Sequence, residues 1–261
     1  MSSPGTQLRL RRPRNSQGRF LLLALDHGLP AGPLPGLEDP RLLLRALQDA
    51  PLTGVVVNPG LVPHLVSRDT PLPPLVVHVS AGTLLGRPPS SKVLACSVER
   101  ALALGADAVS VQIGFGDPEE GRMLGDAGHV VDEASRYGLP VLVMAYPPGS
   151  VTGTAAPDDV RHAARAAAEL GADLVQVPHP GAAEDVRAVV RGCPAPVLVA
   201  GGPRSASPEA LLDAAAAALA GGAAGLVVGR NLFQHPDPAS FARRLGEVVS
   251  SQAPRIEIAS A

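Results

Sequence analysis

Lysine is almost absent from this chain. Of its 261 residues 22 are basic, and only Lys92 is a lysine. Reactions that proceed through an imine need a lysine amine at a defined point of the active site. The composition therefore restricts any chemistry of that kind to a single position.

Aromatic residues, excess charge and long apolar runs are also scarce. Aromatics make up 2% of the chain and tryptophan is absent, so Leu, Val and Ala must fill the core, and stacking of nucleobases is not expected. The net charge of -2 gives no electrostatic reason to expect nucleic acid or an anionic membrane as a partner. No apolar run reaches the ~20 residues of a membrane span.

The chain has two cysteines, Cys96 and Cys193, and neither belongs to a CxxC motif. We expect two reduced, packed thiols in a cytoplasmic protein. No histidine pair is spaced with a carboxylate as metal ligands usually are, so the sequence indicates no metal and no cofactor.

Short apolar runs alternate with helical patterns along the chain, as in parallel strands that are covered on both sides. The predicted strands are Phe20–Leu25, Gly54–Val57, Leu75–Val79, Ala108–Ile113, Val141–Ala145, Leu174–Val177, Val197–Ala200 and Gly225–Val228. The predicted helices are Pro40–Asp49, Leu61–Ser67, Ser91–Leu104, Glu119–Tyr137, Pro157–Leu170, Ala183–Arg191, Pro208–Ala220 and Pro238–Ser250. Glycines such as Gly105 and Gly171 close helices, where a left-handed residue is favoured.

Eight strand–helix units predict a single-domain (β/α)8 barrel. The rival, an open doubly wound sheet, would show a GxGxxG motif after the first strand, and none is present. We assign residues 19–251 to the barrel, 1–18 to a flexible Arg-rich arm and 252–261 to a tail.

Barrel enzymes carry their chemistry at the carboxyl ends of the strands. In this sequence almost every predicted strand ends in a hydrogen-bonding group. Asp26 is a candidate acid/base group, and Tyr146 is a candidate proton carrier. Each of these residues alone could simply cap a loop, but together they favour a ligand site.

The last two strand ends predict a phosphate site. Gly201 and Gly202 follow the seventh strand, and Gly229 and Arg230 follow the eighth. Glycines let backbone N–H groups approach an anion, while a helix N-terminus and a guanidinium add positive potential. We therefore expect a small phosphorylated substrate.

Several of these segments resemble the archaeal-type class I aldolases of the DeoC/FbaB family, most closely the members similar to 2-amino-3,7-dideoxy-D-threo-hept-6-ulosonate synthase. The matching segments are Leu25–Gly28, His78–Thr83, Gly105–Val111, Met144–Gly149, His162–Arg165, Ala200–Pro203 and Gly229–His235. The resemblance implies a homo-oligomer built on pentamers or a decamer. It also implies that Asp26 is an acid/base group or hydroxyl anchor and that Tyr146 is a proton donor.

This sequence departs from the family's pattern inside the catalytic set. The position of the Schiff-base lysine falls on Gln176, and Gln112 stands where relatives usually have a histidine. Lys92 is expected at the start of a helix, away from the catalytic strand end. The candidate catalytic residues are Asp26, His27, Tyr146 and Gln176, and the candidate substrate-binding residues are Asn58, His78, Ser80, Gln112 and His179.

Since an amide cannot form an iminium, we expect aldolase-like biosynthetic chemistry on a phosphorylated sugar or ketose-derived intermediate without a Schiff base. Carbon–carbon bonds would be formed, cleaved or rearranged. Two alternatives remain open at this point. One is a non-catalytic homologue that binds a sugar phosphate, and the other is an isomerase, dehydratase or cyclase on the same scaffold.

Overall fold

The computed structural model describes residues 3–66, 71–86 and 91–251, and the predicted tail lies outside them. Eight parallel strands close into a barrel in the order β1-β8-β7-β6-β5-β4-β3-β2. The strands are β1 (Phe20–Ala24), β2 (Gly54–Val57), β3 (Leu75–His78), β4 (Ala108–Gly114), β5 (Val141–Tyr146), β6 (Leu174–Val177), β7 (Val197–Ala200) and β8 (Gly225–Val228). The predicted (β/α)8 barrel is confirmed.

Helices connect these strands and form the outer layer. In chain order they are α1 (Pro4–Arg11), α2 (Gly28–Ala31), α3 (Pro40–Ala46), α4 (Val62–Leu65), α5 (Val98–Ala103), α6 (Glu120–Arg136), α7 (Pro157–Glu169), α8 (Ala183–Gly192), α9 (Pro208–Ala220), α10 (Arg230–Phe233) and α11 (Pro238–Ser251). Gly105 and Gly171 follow helices with φ of +87° and +100°, as their positions predicted. Within the described ranges, no helix combines the length and the apolar character that crossing a bilayer requires.

Alternation along the strands decides what faces the barrel axis. Phe20, Leu22 and Ala24 of β1 pack inward with Val56, Val76, Leu142, Met144, Leu174 and Leu198 in one buried cluster. The intervening residues, such as Leu21 and Leu23, pack outward against the helices. Continuing the inward parity beyond this apolar plug brings Asp26, His78, Tyr146 and Gln176 to the carboxyl end of the barrel, here called the mouth.

The segment before α5 differs from the prediction. A helix was expected from Ser91, but Val93–Leu94 form a short strand that pairs antiparallel with Ser80–Ala81. The helix begins only at Val98, where the Ser97 hydroxyl accepts a hydrogen bond from the Arg100 N–H at 3.2 Å. Helical periodicity could not reveal this hairpin, because its pairing partner lies twelve or more residues earlier in the chain.

The predicted N-terminal arm contains the helix α1. Arg9 donates hydrogen bonds to the carbonyls of Tyr137 and Gly138 at 3.1 and 3.0 Å, and Arg12 pairs with Asp107 at 2.6 Å. Polar contacts hold this helix against the amino end of the barrel. Because α1 has no apolar stripe, the periodicity that predicts helices in a sequence did not reveal it.

Candidate active site

Asp26 lies at the mouth, two residues beyond β1. The side-chain amide of Asn58 donates a hydrogen bond to the Asp26 carbonyl at 2.9 Å, so this buried asparagine fixes the backbone that carries the carboxylate. His27 Nδ1 lies 3.4 Å from Asp26 Oδ1. Among the described residues Nδ1 has no hydrogen-bond partner, so the contact with Asp26 is electrostatic and not a hydrogen bond.

The charge state of Asp26 is set by opposing effects. Burial raises the pKa of Asp26, but its contact with His27 and the charge of His78 outweigh burial and hold the pKa below its usual value. Asp26 is therefore a carboxylate near neutral pH. In that state it can accept a proton or a hydrogen bond from a substrate hydroxyl.

His78 faces inward from the end of β3 and is 5% exposed. Its Nδ1 lies 3.0 Å from the hydroxyl of Ser110, a fully buried residue of β4 that the sequence analysis did not select. Burial lowers the pKa of His78, and Lys92 lowers it further, while Asp26 opposes both. The Ser80 hydroxyl accepts a hydrogen bond from the backbone N–H of Gln112 at 3.0 Å, which ties the hairpin to β4.

Tyr146 and Gln176 form the most direct side-chain contact at the mouth. Gln176 is 3% exposed, and its Nε2 donates to the Tyr146 hydroxyl at 2.6 Å. Within the described part of the chain, Gln176 Oε1 is buried without a partner. Burial raises the pKa of the Tyr146 phenol, Asp26 raises it further, and the bond from Gln176 opposes them. Tyr146 thus keeps its proton and can donate it to a ligand.

The predicted phosphate loops lie side by side after β7 and β8. Arg230 donates to the Gly202 carbonyl at 3.3 Å, and its buried Nε is unpartnered among the described residues. Asn231, which the sequence analysis did not select, donates to the carbonyls of Gly201 and Pro203 at 2.9 and 3.0 Å. These contacts fix the two loops relative to each other.

A helix follows β8 directly, as the predicted phosphate site required, but it is short. Only Arg230–Phe233 are helical, so it contributes a single turn, and its dipole is correspondingly small. A Cβ at Gly229 would collide with the His27 ring, which also packs edge-on against Phe233 with ring centroids 5.4 Å apart. Gly229 therefore allows His27 to lie against the phosphate loop.

His179 does not turn its polar atoms toward Asp26 and Tyr146. Its Nδ1 accepts from the Gly181 N–H at 3.2 Å, so Nε2 carries the proton and donates to the Ala214 carbonyl at 3.0 Å. It also lines a cavity of about 340 Å³ beside the phosphate loops. Asp26, Tyr146 and Gln176 do not line this cavity, so it is a neighbour of their site.

Lys92 belongs to the mouth, contrary to the sequence prediction. It directly precedes the second strand of the hairpin, is 8% exposed and donates from Nζ to the Gly82 carbonyl at 3.3 Å. Burial lowers the pKa of Lys92, whereas the Asp26 carboxylate raises it. The folded hairpin carries this residue back to the site, which reading along the chain could not anticipate.

The barrel and its mouth define a protein of the TIM-barrel class with a polar site at the carboxyl ends of its strands. The family model of the DeoC/LacD family aldolases matches residues 20–235. The chain therefore belongs to the DeoC/LacD aldolase family, and the expected family is confirmed.

Two relatives illustrate the similarity. The chain is 35% identical over 250 residues to a 2-amino-4,5-dihydroxy-6-oxo-7-(phosphonooxy)heptanoate synthase of Streptomyces griseus, covering 95% of this chain and 91% of the relative. It is 38% identical over 232 residues to a 2-amino-3,7-dideoxy-D-threo-hept-6-ulosonate synthase of Archaeoglobus fulgidus, covering 89% of this chain and 86% of the relative.

Solved structures agree with the fold. An archaeal fructose 1,6-bisphosphate aldolase superposes with a TM-score of 0.86 at 33% identity, over 95% of this chain and 100% of the other. A second structure of an archaeal fructose-1,6-bisphosphate aldolase has its catalytic lysine covalently bound to the carbinolamine intermediate of the substrate. It superposes with a TM-score of 0.85 at 33% identity, over 94% of this chain and 99% of the other.

Proposed function

We propose that this protein is a biosynthetic aldolase-like enzyme that acts on a phosphorylated sugar or ketose-derived intermediate without a lysine Schiff base. It would form, cleave or rearrange a carbon–carbon bond. The contact between Gln176 and Tyr146 carries the proposal, because a neutral amide occupies the end of β6 beside the candidate proton donor. Membership of an aldolase family supports the reaction class.

The names of the relatives support a phosphorylated substrate. Both the Streptomyces griseus synthase and the archaeal fructose 1,6-bisphosphate aldolase are named for phosphorylated compounds. In this chain Gly201, Gly202, Gly229 and Arg230 form the corresponding candidate site. The unpartnered Nε of Arg230 is a charge-assisted donor that a phosphate oxygen would satisfy.

Proton transfer is assigned to Asp26, His27 and Tyr146. Asp26 is ionised and accepts the proton that leaves carbon, while Tyr146 stays protonated and donates its proton to the oxygen that becomes a hydroxyl. His27 lies 3.4 Å from the carboxylate, where it can relay a proton between Asp26 and solvent. Remaining contacts to the substrate are assigned to His78 and the side chain of Gln112.

Gln176 takes a supporting part in this scheme. Its Nε2 bond fixes the Tyr146 oxygen as an acceptor, so the phenolic proton must point elsewhere. Its Oε1 is buried without a partner among the described residues and would accept from a substrate hydroxyl or amine. Removal of one oriented donor at a developing charge typically costs about 10²–10³ in kcat, and we expect a loss of similar size when the amide that orients the proton donor is removed.

A trapping experiment tests the absence of a Schiff base. The protein is incubated with dihydroxyacetone phosphate or fructose 1,6-bisphosphate, reduced with borohydride and analysed by intact and peptide mass spectrometry. The proposal expects no covalent adduct on the wild-type chain. An adduct on any residue would contradict the non-covalent mechanism.

Turnover measurements test the role of the amide. Ketose phosphates are mixed with aldehydes, including aspartate semialdehyde, and products are identified by mass. We expect Gln176→Ala to lower the rate by about 10²–10³. The control is Gln48→Ala, which removes an exposed amide outside the site. Turnover by Gln176→Ala at the wild-type rate would refute the assigned role, and a product of unchanged mass would indicate an isomerase instead.

A further inference from the structure

The single lysine, Lys92, is held in a defined position at the mouth by the hairpin. The hairpin pairs Ser80 with Leu94 and Ala81 with Val93, which turns Lys92 back over the end of β3. Its backbone N–H donates to the sulfur of Met123 at 3.4 Å. Both the backbone and the side chain of this residue are therefore held in place.

Gly82 makes room for the lysine side chain. A Cβ at position 82 would lie 2.6 Å from the Ser91 carbonyl oxygen and 3.0 Å from Lys92 Cδ. Any larger residue would thus displace the lysine stem from its packed position. The Gly82 carbonyl is the acceptor for Nζ, at 3.3 Å, so one residue supplies both the space and the hydrogen bond.

The lysine belongs to an electrostatic cluster centred on Asp26. The Asp26 carboxylate raises the pKa of Lys92, His78 and Tyr146, although burial has the larger effect on each of the three. Among the described residues no carboxylate pairs with Nζ within 4.0 Å. A buried ammonium that has only one carbonyl partner is costly to maintain unless it meets an anion.

The proposed reaction lacks a cation at the reacting carbon. An iminium normally supplies the electron sink, and the neutral Gln176 amide cannot. Arg230 is bonded to Gly202 in the phosphate loops, after β7 and β8. The closed strand order places β3, and with it Lys92, on the far side of the mouth from those loops.

We propose that the Lys92 ammonium is the catalytic cation of this site and stabilises the enolate oxygen by a direct charge-assisted hydrogen bond. The inference rests on the proposed function. Asp26 removes a proton from the carbon next to the substrate carbonyl, and the electron pair moves onto the carbonyl oxygen beside Lys92. The enolate carbon then bonds to an aldehyde carbon, the first carbonyl re-forms, and Tyr146 protonates the new alkoxide. Asp26 returns its proton to Tyr146, so the step balances without a further reactant.

Binding of two probes to the full chain tests the assignment without requiring turnover. The probes are dihydroxyacetone phosphate and phosphoglycolohydroxamate, a planar analogue of its enediolate, and calorimetry gives their Kd values. Lys92→Met should weaken binding of the enediolate analogue by about 10²-fold, since it removes one donor aimed at the developing charge. It should change the Kd for dihydroxyacetone phosphate by less than about threefold, a difference near 0.7 kcal/mol.

Control variants separate charge at the site from charge and folding in general. Lys92→Arg keeps the cation and should retain part of the preference for the analogue. Arg161→Met removes an exposed positive charge on α7 and should leave both Kd values unchanged. Thermal unfolding checks each variant, and Lys92→Gln, which keeps a donor for the Gly82 carbonyl, replaces Lys92→Met if the latter unfolds.

Three results would overturn the inference. If Lys92→Met weakens the binding of both probes equally, Lys92 is an ordinary anion contact. If it changes neither Kd, Lys92 is not at the reacting centre. A borohydride-trapped adduct on Lys92 would show that it acts as a covalent amine. Failure of the proposed function is a different result. If the wild-type chain turns over no substrate while the Lys92-dependent preference persists, the function fails and the cation site stands.

Discussion

The side-chain amide of Gln176 donates a hydrogen bond to the Tyr146 hydroxyl across 2.6 Å. The two residues occupy the inward-facing ends of neighbouring strands, β6 and β5, whose register pairs Met144 with Gln176. Because the amide nitrogen is the donor, the phenolic proton is directed away from it. The contact therefore orients Tyr146 as an acid toward a ligand at the mouth.

We expect Tyr146→Phe and Gln176→Leu to be strongly non-additive. Tyr146→Phe removes the proposed proton donor and should lower kcat by about 10²–10⁴. Adding Gln176→Leu should then cost less than it costs alone, because the amide has no hydroxyl left to orient and loses only its own contact to substrate, and the coupling free energy should fall within about 0.5–3 kcal/mol. Steady-state kinetics of the four proteins in the cycle measures it. Fully additive losses would mean that the two residues act separately.

We expect Gln176→Lys to acquire Schiff-base chemistry. The substituted amine would lie beside Tyr146 in a buried site, where desolvation lowers the pKa of a lysine and increases its neutral, nucleophilic fraction. Borohydride with dihydroxyacetone phosphate should then give a covalent adduct at position 176, detected by peptide mass spectrometry. Gln48→Lys places a lysine at an exposed site and serves as the control. Equal labelling of both variants would contradict the expected specificity.

We expect Tyr146 to stay protonated past pH ~10, the ordinary pKa of tyrosine. Its pKa is raised mainly by burial, with a contribution from Asp26. The chain has only two tyrosines and no tryptophan, so Tyr137→Phe leaves Tyr146 as the sole tyrosine in an ultraviolet titration. The remaining tyrosinate signal should appear only above the ordinary range, and appearance at pH ~10 would contradict the expectation.

We expect the protein to become less stable as the pH falls below ~6.5, the ordinary pKa of histidine, because of the burial of His78. Burial lowers the pKa of His78 in the folded state, so the unfolded chain binds a proton that the folded chain does not. The free energy of unfolding should therefore decrease on acidification, by up to about 1.4 kcal/mol per pH unit until the folded-state pKa is reached. Asp26 and Lys92 act on the pKa of His78 in opposite directions, Asp26 raising it and Lys92 lowering it.

Urea unfolding measures the dependence of the free energy of unfolding on pH. The measurements run from about pH 5 to about pH 7.5, an interval that includes the ordinary pKa of histidine. His78→Asn keeps a polar partner for Ser110 and should flatten the slope. His129→Asn changes a largely exposed histidine and should leave it unaltered. An identical slope in wild type and His78→Asn would assign the effect to another group.

We expect Arg230→Gln to weaken phosphate binding. A charge-assisted hydrogen bond contributes about 1.5–3 kcal/mol, which corresponds to roughly a 10–150-fold rise in the Kd for dihydroxyacetone phosphate. Arg243→Gln alters an exposed arginine of α11 and should leave the Kd unchanged. Isothermal calorimetry at constant ionic strength gives both values. Equal affinities for Arg230→Gln and wild type would place the phosphate elsewhere.

Most of the fold could be predicted because it depends on local sequence patterns. The four strands β2, β6, β7 and β8 begin and end where their apolar runs do. The predicted range of α9, Pro208–Ala220, is correct, because Ser207 caps its first turn and Pro208 is favoured at the first helical position. The prediction missed two elements. The helix α1 is held by polar contacts and has no apolar periodicity, and the hairpin depends on pairing between segments that are separated in the chain.

Only part of the candidate site could be predicted from the sequence. Asp26, Tyr146 and Gln176 could be selected because strand ends and side-chain alternation are both visible in a sequence. Nothing local distinguishes Asn58, which supports the Asp26 backbone, from a residue that touches substrate. The same holds for His179, whose two ring nitrogens are used by the loop and by the Ala214 carbonyl.

Sequence by itself determined the barrel, its strand ends and the scarcity of lysine, because each follows from composition or short-range periodicity. Only the tertiary structure decided where Lys92 lies and which atom of Gln176 meets Tyr146. Both depend on segments that are distant along the chain: Ser80–Ala81 pairs with Val93–Leu94, and β5 pairs with β6. The pairing of those segments is a property of the closed sheet and its hairpin, so it exists only once the chain has folded.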